Sequence, residues 1–159
     1  LGADRWAAMI GARALSNTNT LIINAGTATT IDLLGSNGVH YGGWILPGLE
    51  LMQKSLEGNT AQLPLAVRDD TSNGFGLSTN NAIISGCDAA QIGAIQYAIQ
   101  LAKQMNHPIE RVWIDGGNAK ILATEMSKLK AQSSLAVEST ETIEGLVLRG
   151  IWAWLLQNL

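Results

Sequence analysis

The sequence predicts an α/β domain built on a mixed β-sheet, and three observations support that fold class. Three short β-branched segments follow one another between residues 20 and 45, close enough in sequence to pair as an antiparallel meander. Residues 111–156 then alternate between strand-like and helix-like segments, a pattern typical of parallel strands joined by helices. With 159 residues, 47% of them hydrophobic, the chain can bury the core of one domain, and a second full domain is not expected.

The first 59 residues favour a helix, three strands and a second helix. Apolar residues at helical spacing predict a helix over 3–15, with Trp6, Met9 and Ile10 on its buried face. The strands are predicted over 20–24, 28–34 and 39–45, and the Asn37-Gly38 pair is turn chemistry between the last two. After Pro47 the apolar spacing returns to that of a helix, which Gly58-Asn59 would end.

The second part of the chain begins with a predicted long loop over 58–78, which contains Pro64 and the Asp69-Asp70 pair. A long helix is expected over 79–105, with small residues such as Ala89, Ala90 and Gly93 on its buried side. Next come a strand over 111–115, a helix over 119–130, a strand over 134–137 and a helix over 141–156. Ser139 and Thr140 are N-cap candidates for that last helix.

Composition bounds the function classes. The net charge is −3 and the basic residues are scattered, so no stripe suggests a nucleic-acid partner. Cys87 is the single cysteine, which excludes an internal disulfide framework and fits a reducing cytoplasm. No signal peptide is apparent, and no apolar run approaches the roughly 18 residues of a membrane span. We therefore expect a cytoplasmic protein with neither nucleic-acid nor membrane partners.

Asp4 and Arg5 form the most informative pair in the chain. A carboxylate can accept a proton, while the adjacent guanidinium can hold an anionic substrate. The pair lies within five residues of a chain that begins on Leu1 without a methionine. Because termini fray, chemistry is rarely placed there. We therefore expect this sequence to be the C-terminal part of a longer protein.

Three glycine-containing segments could approach a ligand, and each has a purely structural alternative. Residues 24–30 either hold phosphate through Thr27 and backbone N–H groups or form a hairpin turn. Residues 42–48 pass close to a ligand or, as we favour, to packed protein. Residues 115–119 end a strand and open a helix, which suits a nucleotide phosphate or a simple tight turn. Thr79 is either the N-cap of the long helix, which the residues alone favour, or a substrate-contacting hydroxyl.

Other common sites are poorly supported. The spacing of His40 and His107 relative to Cys87 is not that of metal ligands, so both histidines are interpreted as structural or solvated. A Ser–His–Asp hydrolase would need a G-x-S-x-G segment, and a P-loop would need GxxxxGK[ST]; the chain contains neither.

Taken together and in this order, the segments resemble type III pantothenate kinase, a family of the acetate-and-sugar-kinase, Hsp70 and actin superfamily. The matching segments are Gly2-Ala3-Asp4-Arg5-Trp6, Gly26-Thr27-Ala28-Thr29-Thr30-Ile31-Asp32, Gly42-Gly43-Trp44-Ile45-Leu46-Pro47-Gly48, Thr60-Ala61-Gln62-Leu63-Pro64, Ser78-Thr79 with Ser85-Gly86, and Asp115-Gly116-Gly117-Asn118-Ala119. The resemblance implies a ribonuclease-H-like, actin-like ATPase domain. It also implies phosphorylation of pantothenate with ATP and magnesium, the first committed step of coenzyme A synthesis, by a homodimer that uses a monovalent cation.

The resemblance also implies roles for individual residues. Asp4 would be the general base for the pantothenate hydroxyl, and we expect it to share one cleft with Thr27, Thr79 and the Gly116 turn. Arg5 would bind the pantothenate carboxylate through paired hydrogen bonds. The full set of implied contacts is Gly2, Ala3, Asp4, Arg5 and Thr79 for substrate, and Thr27, Gly116 and Gly117 for ATP.

Two departures from the family pattern matter. Asn24 stands where the family commonly has an aspartate associated with potassium or ammonium, so it keeps a carbonyl oxygen but lacks the charge. The family's Asp-x-Gly-Asn-Thr phosphate loop belongs to an N-terminal half that these 159 residues do not contain. We therefore expect residues 1–159 to be the C-terminal domain of a two-domain kinase, inactive alone. The alternatives are a regulatory relative that accompanies transcription and a superfamily kinase with another small acceptor.

Overall fold

The computed structural model describes residues 2–59, 74–131 and 137–158, and the described residues form five helices and five strands. In chain order they are α1 (Ala3–Leu15), β1 (Thr20–Ala25), β2 (Ala28–Leu34), β3 (His40–Pro47), α2 (Leu49–Asn59), α3 (Thr79–Gln104), β4 (Arg111–Asp115), α4 (Ala119–Ala131), β5 (Ser139–Thr142) and α5 (Leu146–Asn158). The α/β class with a mixed sheet is confirmed. The loop predicted over 58–78, including Pro64, Asp69 and Asp70, falls mostly outside the described residues.

The strands form one sheet in the order β3-β2-β1-β4-β5. β1 pairs with β2 and β2 with β3 in antiparallel fashion, whereas β1, β4 and β5 run parallel. The register places Asn24 opposite Asp115, so the carboxyl ends of β1 and β4 meet at one edge of the sheet. In open α/β sheets, this is the edge at which ligands bind.

Helices cover both faces of the sheet, and the period of two along β1 divides its side chains between them. Leu21 and Ile23 face the larger core, which α2, α3 and α4 cover, whereas Ile22 faces α1 and α5. The smaller core consists of Ala8, Met9, Ala12, Ile22, Leu34, Trp113 and Leu146. Full burial of such a large apolar side chain stabilises a fold by about 1.5–3 kcal/mol. Packing on both faces therefore fixes which face of the sheet each helix covers.

The strand expected over 134–137 lies almost entirely outside the described residues, and the last strand that the structure describes is β5, Ser139–Thr142. Ser139 and Thr140 accordingly lie in a strand and are not N-caps; Ser139 pairs with Arg111 of β4. The last helix was also predicted too early, since it begins at Leu146 after Gly145, whose φ is +70°. Ser139–Thr142 is a strand because its backbone pairs in parallel with β4. Its polar sequence does not reveal this pairing.

The expected buried face of the long helix was also wrong. Ala89, Ala90 and Gly93 are exposed. The buried face carries larger residues instead, namely Ile83, Ile84, Cys87, Asp88, Gln91, Ile92, Ile95, Ala98, Ile99 and Ala102. Burial of an isoleucine removes more apolar surface from water than burial of an alanine, so the face with more isoleucine turns inward. Within the described segments, no helix has both the length and the apolarity needed to cross a membrane.

Candidate functional site

The turn between β4 and α4 is held against the end of β1. Gly116 has φ +100°, and a Cβ built there would lie 2.7 Å from both Asn24 Oδ1 and the Ala25 carbonyl oxygen. The Asn118 N–H donates to that carbonyl oxygen at 2.9 Å. Gly116 is therefore required both by its backbone conformation and by the close approach of β1. The turn opens directly into α4, and a helix N-terminus is a favourable place for phosphate.

Asp115 links the start of this turn to α5. Its Oδ1 accepts a hydrogen bond from the Gly116 N–H at 2.7 Å, and its Oδ2 accepts one from the Leu146 N–H at 2.7 Å. The carboxylate thereby ties the turn to the first residue of α5, where a negative charge is favourable near the positive end of the helix dipole.

The turn between β1 and β2 presents Thr27 as an exposed residue. Gly48 braces the turn, since its N–H donates to the Thr27 carbonyl oxygen at 2.9 Å, and a Cβ at Gly48 would collide with the Gly26 carbonyl oxygen. Gln91 of α3 in turn donates to the Pro47 carbonyl oxygen at 2.7 Å. The favoured interpretation of the 42–48 segment is confirmed: its backbone passes close to packed protein.

Asp4 and Arg5 lie in the first turn of α1, and Gly2 occupies the N-cap position. Asp4 is exposed. Arg5 donates through Nε to Asp32 Oδ2 at 2.8 Å and through Nη2 to Asp32 Oδ1 at 2.6 Å. This hydrogen bonding raises the pKa of Arg5, although burial opposes the rise. The paired donors of Arg5 are therefore engaged within the chain.

Thr79 is the first residue of α3 and is exposed, but it is not the N-cap. Ser78 has the extended conformation of a cap, and its Oγ accepts a hydrogen bond from the Asn81 N–H at 3.1 Å. The predicted cap was thus displaced by one residue. Thr79 lines a cavity of about 720 Å³ between α2 and α3, together with Pro47, Leu51, Met52, Ser55, Leu56, Ala82, Ile83, Gly86 and Cys87.

The predicted residues fall into separate groups. Asn24, Thr27, Gly116 and Gly117 lie in or beside the turns at the same sheet edge. Gln91 is the α3 residue that reaches this edge, and Thr79 comes twelve residues before it. At a rise of 1.5 Å per residue, Thr79 lies about 18 Å from Gln91 along the helix axis, toward the N-terminus of α3.

Asp4 lies on α1, which packs with α5 on the sheet face opposite α3. The described residues of one chain thus do not place Asp4 and Thr79 in one cleft. The histidines are structural, as expected: His40 bonds Asp32, and the His107 ring lies 3.9 Å from that of Tyr41. Among the described residues, no three His, Cys, Asp or Glu side chains cluster as metal ligands would.

Sequence reasoning missed a groove of about 810 Å³ between α3 and α4. Its walls include Ile92 and Gln96 of α3 and Lys120, Thr124 and Lys128 of α4. The groove starts in the first turn of α4, directly after the Gly116-Gly117 turn. The spacing of the three α4 residues, four apart on one helix face, is the signal that could have indicated it.

The family is decided by comparison with known proteins. The sequence model of the type III pantothenate kinase family matches residues 1–101. The chain belongs to this family. The match includes Asp4, Thr27 and Thr79, and it ends before the Gly116 turn.

Curated type III pantothenate kinases from three bacteria illustrate the relationship. The protein of Aromatoleum aromaticum is 50% identical over 120 residues, which are 75% of this chain and 48% of that protein. The Colwellia psychrerythraea protein is 38% identical over 152 residues, 95% of this chain and 61% of that protein. The Janthinobacterium protein is 47% identical over 131 residues, 80% of this chain and 50% of that protein. The chain thus spans about half to three-fifths of the length of these relatives.

A solved structure from Campylobacter jejuni, described as a Baf family transcriptional activator, has a TM-score of 0.62 to this chain. It is 23% identical, and the comparison covers 99% of this chain and 65% of that one. At this identity the likeness concerns the fold alone, and it gives no support to a role in transcription.

Proposed function

We propose that residues 1–159 are the C-terminal domain of a two-domain kinase that transfers a phosphoryl group from ATP to pantothenate. The product is 4'-phosphopantothenate, and the reaction is the first step of coenzyme A biosynthesis. The observation that carries the proposal is the family match over residues 1–101, which contains the proposed catalytic carboxylate, Asp4. The chain spans only about half of several relatives, which supports the two-domain arrangement and an inactive isolated chain.

The proposed domain type is ribonuclease-H-like, as in actin-like ATPases. Support comes from the sheet order β3-β2-β1-β4-β5, with three antiparallel strands followed by parallel ones, and from helices on both faces. In this arrangement the turns after β1 and β4 lie together, so the nucleotide-side residues need no long loop to meet.

Asp4 is proposed as the general base that accepts the proton of the pantothenate hydroxyl. It is exposed at the start of α1, where an incoming substrate can reach it. Phosphoryl transfer depends chiefly on positioning and charge stabilisation, so the base need not have a strongly raised pKa. Gly2 and Ala3, both exposed beside Asp4, are proposed to contact the same substrate.

Arg5 is proposed to hold the carboxylate of pantothenate. Asp32 engages its Nε and Nη2, so Nη1 is the guanidinium nitrogen that Asp32 leaves available. The substrate contact is then made by one nitrogen, in place of the paired contact expected from the sequence. A single charge-assisted hydrogen bond still favours an anion over a neutral analogue.

For the nucleotide, Thr27, Gly116 and Gly117 are proposed to contact ATP, which enters with magnesium bound to its phosphates. The N-terminus of α4 favours phosphate, and the adjoining groove between α3 and α4 has room for the nucleoside. Lys120 lines that groove within the first turn of α4, where its ammonium group can face phosphate.

Asn24 is proposed as a ligand of a monovalent cation, potassium or ammonium. Its Oδ1 and the Ala25 carbonyl oxygen both lie close to Gly116, each 2.7 Å from where a Cβ would stand, so two neutral oxygens are close together at this edge of the sheet. Neutral carbonyl oxygens are suitable potassium ligands, since they replace the hydration shell. Because Asn24 carries no charge, the cation should be held more weakly than by an aspartate.

A homodimer is proposed, because Thr79 and Asp4 lie on opposite sides of the sheet in one chain. If both contact one small substrate, as the family resemblance implies, a second copy must supply Thr79. We further propose a cytoplasmic enzyme without nucleic-acid or membrane partners, a proposal supported by its net charge of −3 and scattered basic residues.

The deciding experiment is turnover by the full-length protein with magnesium ATP and a panel of acceptors: pantothenate, hexoses and acetate. We expect a phosphorylated product of pantothenate by mass spectrometry, stimulated by potassium. Preference for a sugar or for acetate would indicate another superfamily kinase, and no turnover of any acceptor would favour a regulatory protein. Turnover by residues 1–159 alone would contradict the two-domain proposal.

A further inference from the structure

Asp32 is a buried carboxylate in the middle of β2 and is 2% exposed. It receives the two hydrogen bonds from Arg5, and His40 Nε2 lies 2.7 Å from the same Oδ1 that Arg5 Nη2 contacts. A buried carboxylate is costly unless it is paired and hydrogen-bonded. Arg5 and His40 together provide that compensation, so the three side chains form one unit, which we call the Asp32 cluster.

The backbone around the Asp32 cluster is shaped to admit it. Gly43 of β3 is the register partner of Asp32. A Cβ on Gly43 would collide with Asp32 Oδ1 and would lie 2.7 Å from Arg5 Nη2. The neighbouring Gly42 has φ +113°, beside the register shift that lies opposite Leu33 and Leu34. Gly43 therefore makes room for this cluster, whereas Gly42 is explained by its positive φ, and no bound ligand is needed to explain the close approach at Gly43.

We propose that Asp32 and His40 are positioning residues that lock the first turn of α1 through Arg5, an inference that rests on the proposed function. The cluster has two consequences for the substrate site. It fixes the guanidinium so that Nη1 is the nitrogen left for the substrate carboxylate. It also ties Arg5, the residue adjacent to Asp4, to the centre of the sheet. Without this tie, the exposed base would be held only by the end of a helix, which would fray.

The test uses Asp32→Asn in the full-length protein, since asparagine keeps the shape but removes the charge and turns a donor toward Arg5. We expect the KM for pantothenate to rise about ten- to a hundredfold, the factor that loss of charge-assisted hydrogen bonds gives. The KM for ATP should stay within about twofold, because the nucleotide contacts are on other elements. A merely destabilised enzyme would lose active fraction, hence kcat, with both KM values unchanged.

Variants of His40 refine the test. His40→Gln keeps an N–H donor that can face Asp32, whereas His40→Leu removes it. We expect His40→Leu to raise the pantothenate KM and His40→Gln to restore much of the loss. The matched control is Glu141→Gln, a carboxylate-to-amide change in the exposed pair with Arg111 at 3.4 Å, which should leave both KM values unchanged.

A readout independent of turnover separates this inference from the proposed function. In nitrogen-15 spectra of the full-length protein, the Arg5 Nε–H, assigned by its loss in Arg5→Lys, should exchange slowly with water. In Asp32→Asn it should exchange fast. If the wild type lacks pantothenate kinase activity, the proposed function fails while these spectra still decide the cluster. An unchanged pantothenate KM in active Asp32→Asn, or equal Nε–H exchange in both proteins, would overturn the inference.

Discussion

Gly11 of α1 and Gly150 of α5 are in direct backbone contact. A Cβ added to Gly150 would lie 3.0 Å from the Gly11 nitrogen, and one added to Gly11 would lie 3.0 Å from the Gly150 nitrogen. Gly150 is also closed off by the Ala7 carbonyl oxygen, which a Cβ would overlap. The two helices can therefore cross this closely only with glycine at both positions, and Trp6 stacks edge-on against Trp154 beside the crossing, with ring centroids 6.3 Å apart.

Gly150→Ala should destabilise the protein, because the added methyl group meets backbone that cannot move aside independently. We expect a loss of about 1–3 kcal/mol in the free energy of unfolding, measured by chemical denaturation. The control is Gly93→Ala, an exposed position of α3 with open space around its Cβ, where helix propensity predicts a gain of about 0.5–1 kcal/mol. Equal stability of the two variants would contradict the close crossing.

Gly116→Ala should impair both folding and the proposed cation site. The position requires φ +100°, and the methyl group would occupy the space between Asn24 Oδ1 and the Ala25 carbonyl oxygen. We expect about 1–3 kcal/mol of lost stability and weaker potassium stimulation of turnover. Gly117→Ala is the matched control, because nothing lies within 4 Å of its Cβ. Should Gly117→Ala destabilise the fold as much, strain at Gly116 would not be the cause.

Asp4→Asn should strongly reduce turnover without affecting the fold. Removal of a general base lowers kcat by about 10²- to 10⁴-fold, while loss of an exposed carboxylate changes stability by less than about 0.5 kcal/mol. Steady-state kinetics and thermal unfolding of the full-length protein measure the two effects. Glu50→Gln, at an exposed acidic residue in the first turn of α2, is the control and should retain full kcat. Normal kcat in Asp4→Asn would exclude Asp4 as the base.

Ser78→Ala and Thr79→Ala should separate a structural hydroxyl from a functional one. Ser78 caps α3 through the Asn81 N–H, so its loss should cost about 1 kcal/mol of stability with little change in pantothenate KM. Thr79 is exposed, so its loss should leave stability within about 0.5 kcal/mol and raise the pantothenate KM. The reverse pattern would restore Thr79 as the cap and remove it from the substrate site.

Local sequence signals predicted most of the elements, because periodicity and turn chemistry act over a few residues. The bounds of α1, β2 and β4 agree with the expected ranges 3–15, 28–34 and 111–115. The N-cap role expected of Ser139 and Thr140 was wrong because it depends on contacts distant in sequence. Ser139–Thr142 is polar and short, and it is a strand only because β4 lies beside it to pair with.

The sequence by itself determined the α/β class and the order of the family's segments, including Asp4, Thr27 and Thr79. The fold class and these segments are both encoded by residues close together along the chain, so the sequence alone reveals them. Only the tertiary structure decided that Arg5 donates its paired hydrogen bonds to Asp32 and that Gly43 makes room for them. It also decided that Thr79 lies on the opposite side of the sheet from Asp4. Those relationships join residues up to 75 positions apart, and they exist only once packing has chosen which helix covers which face.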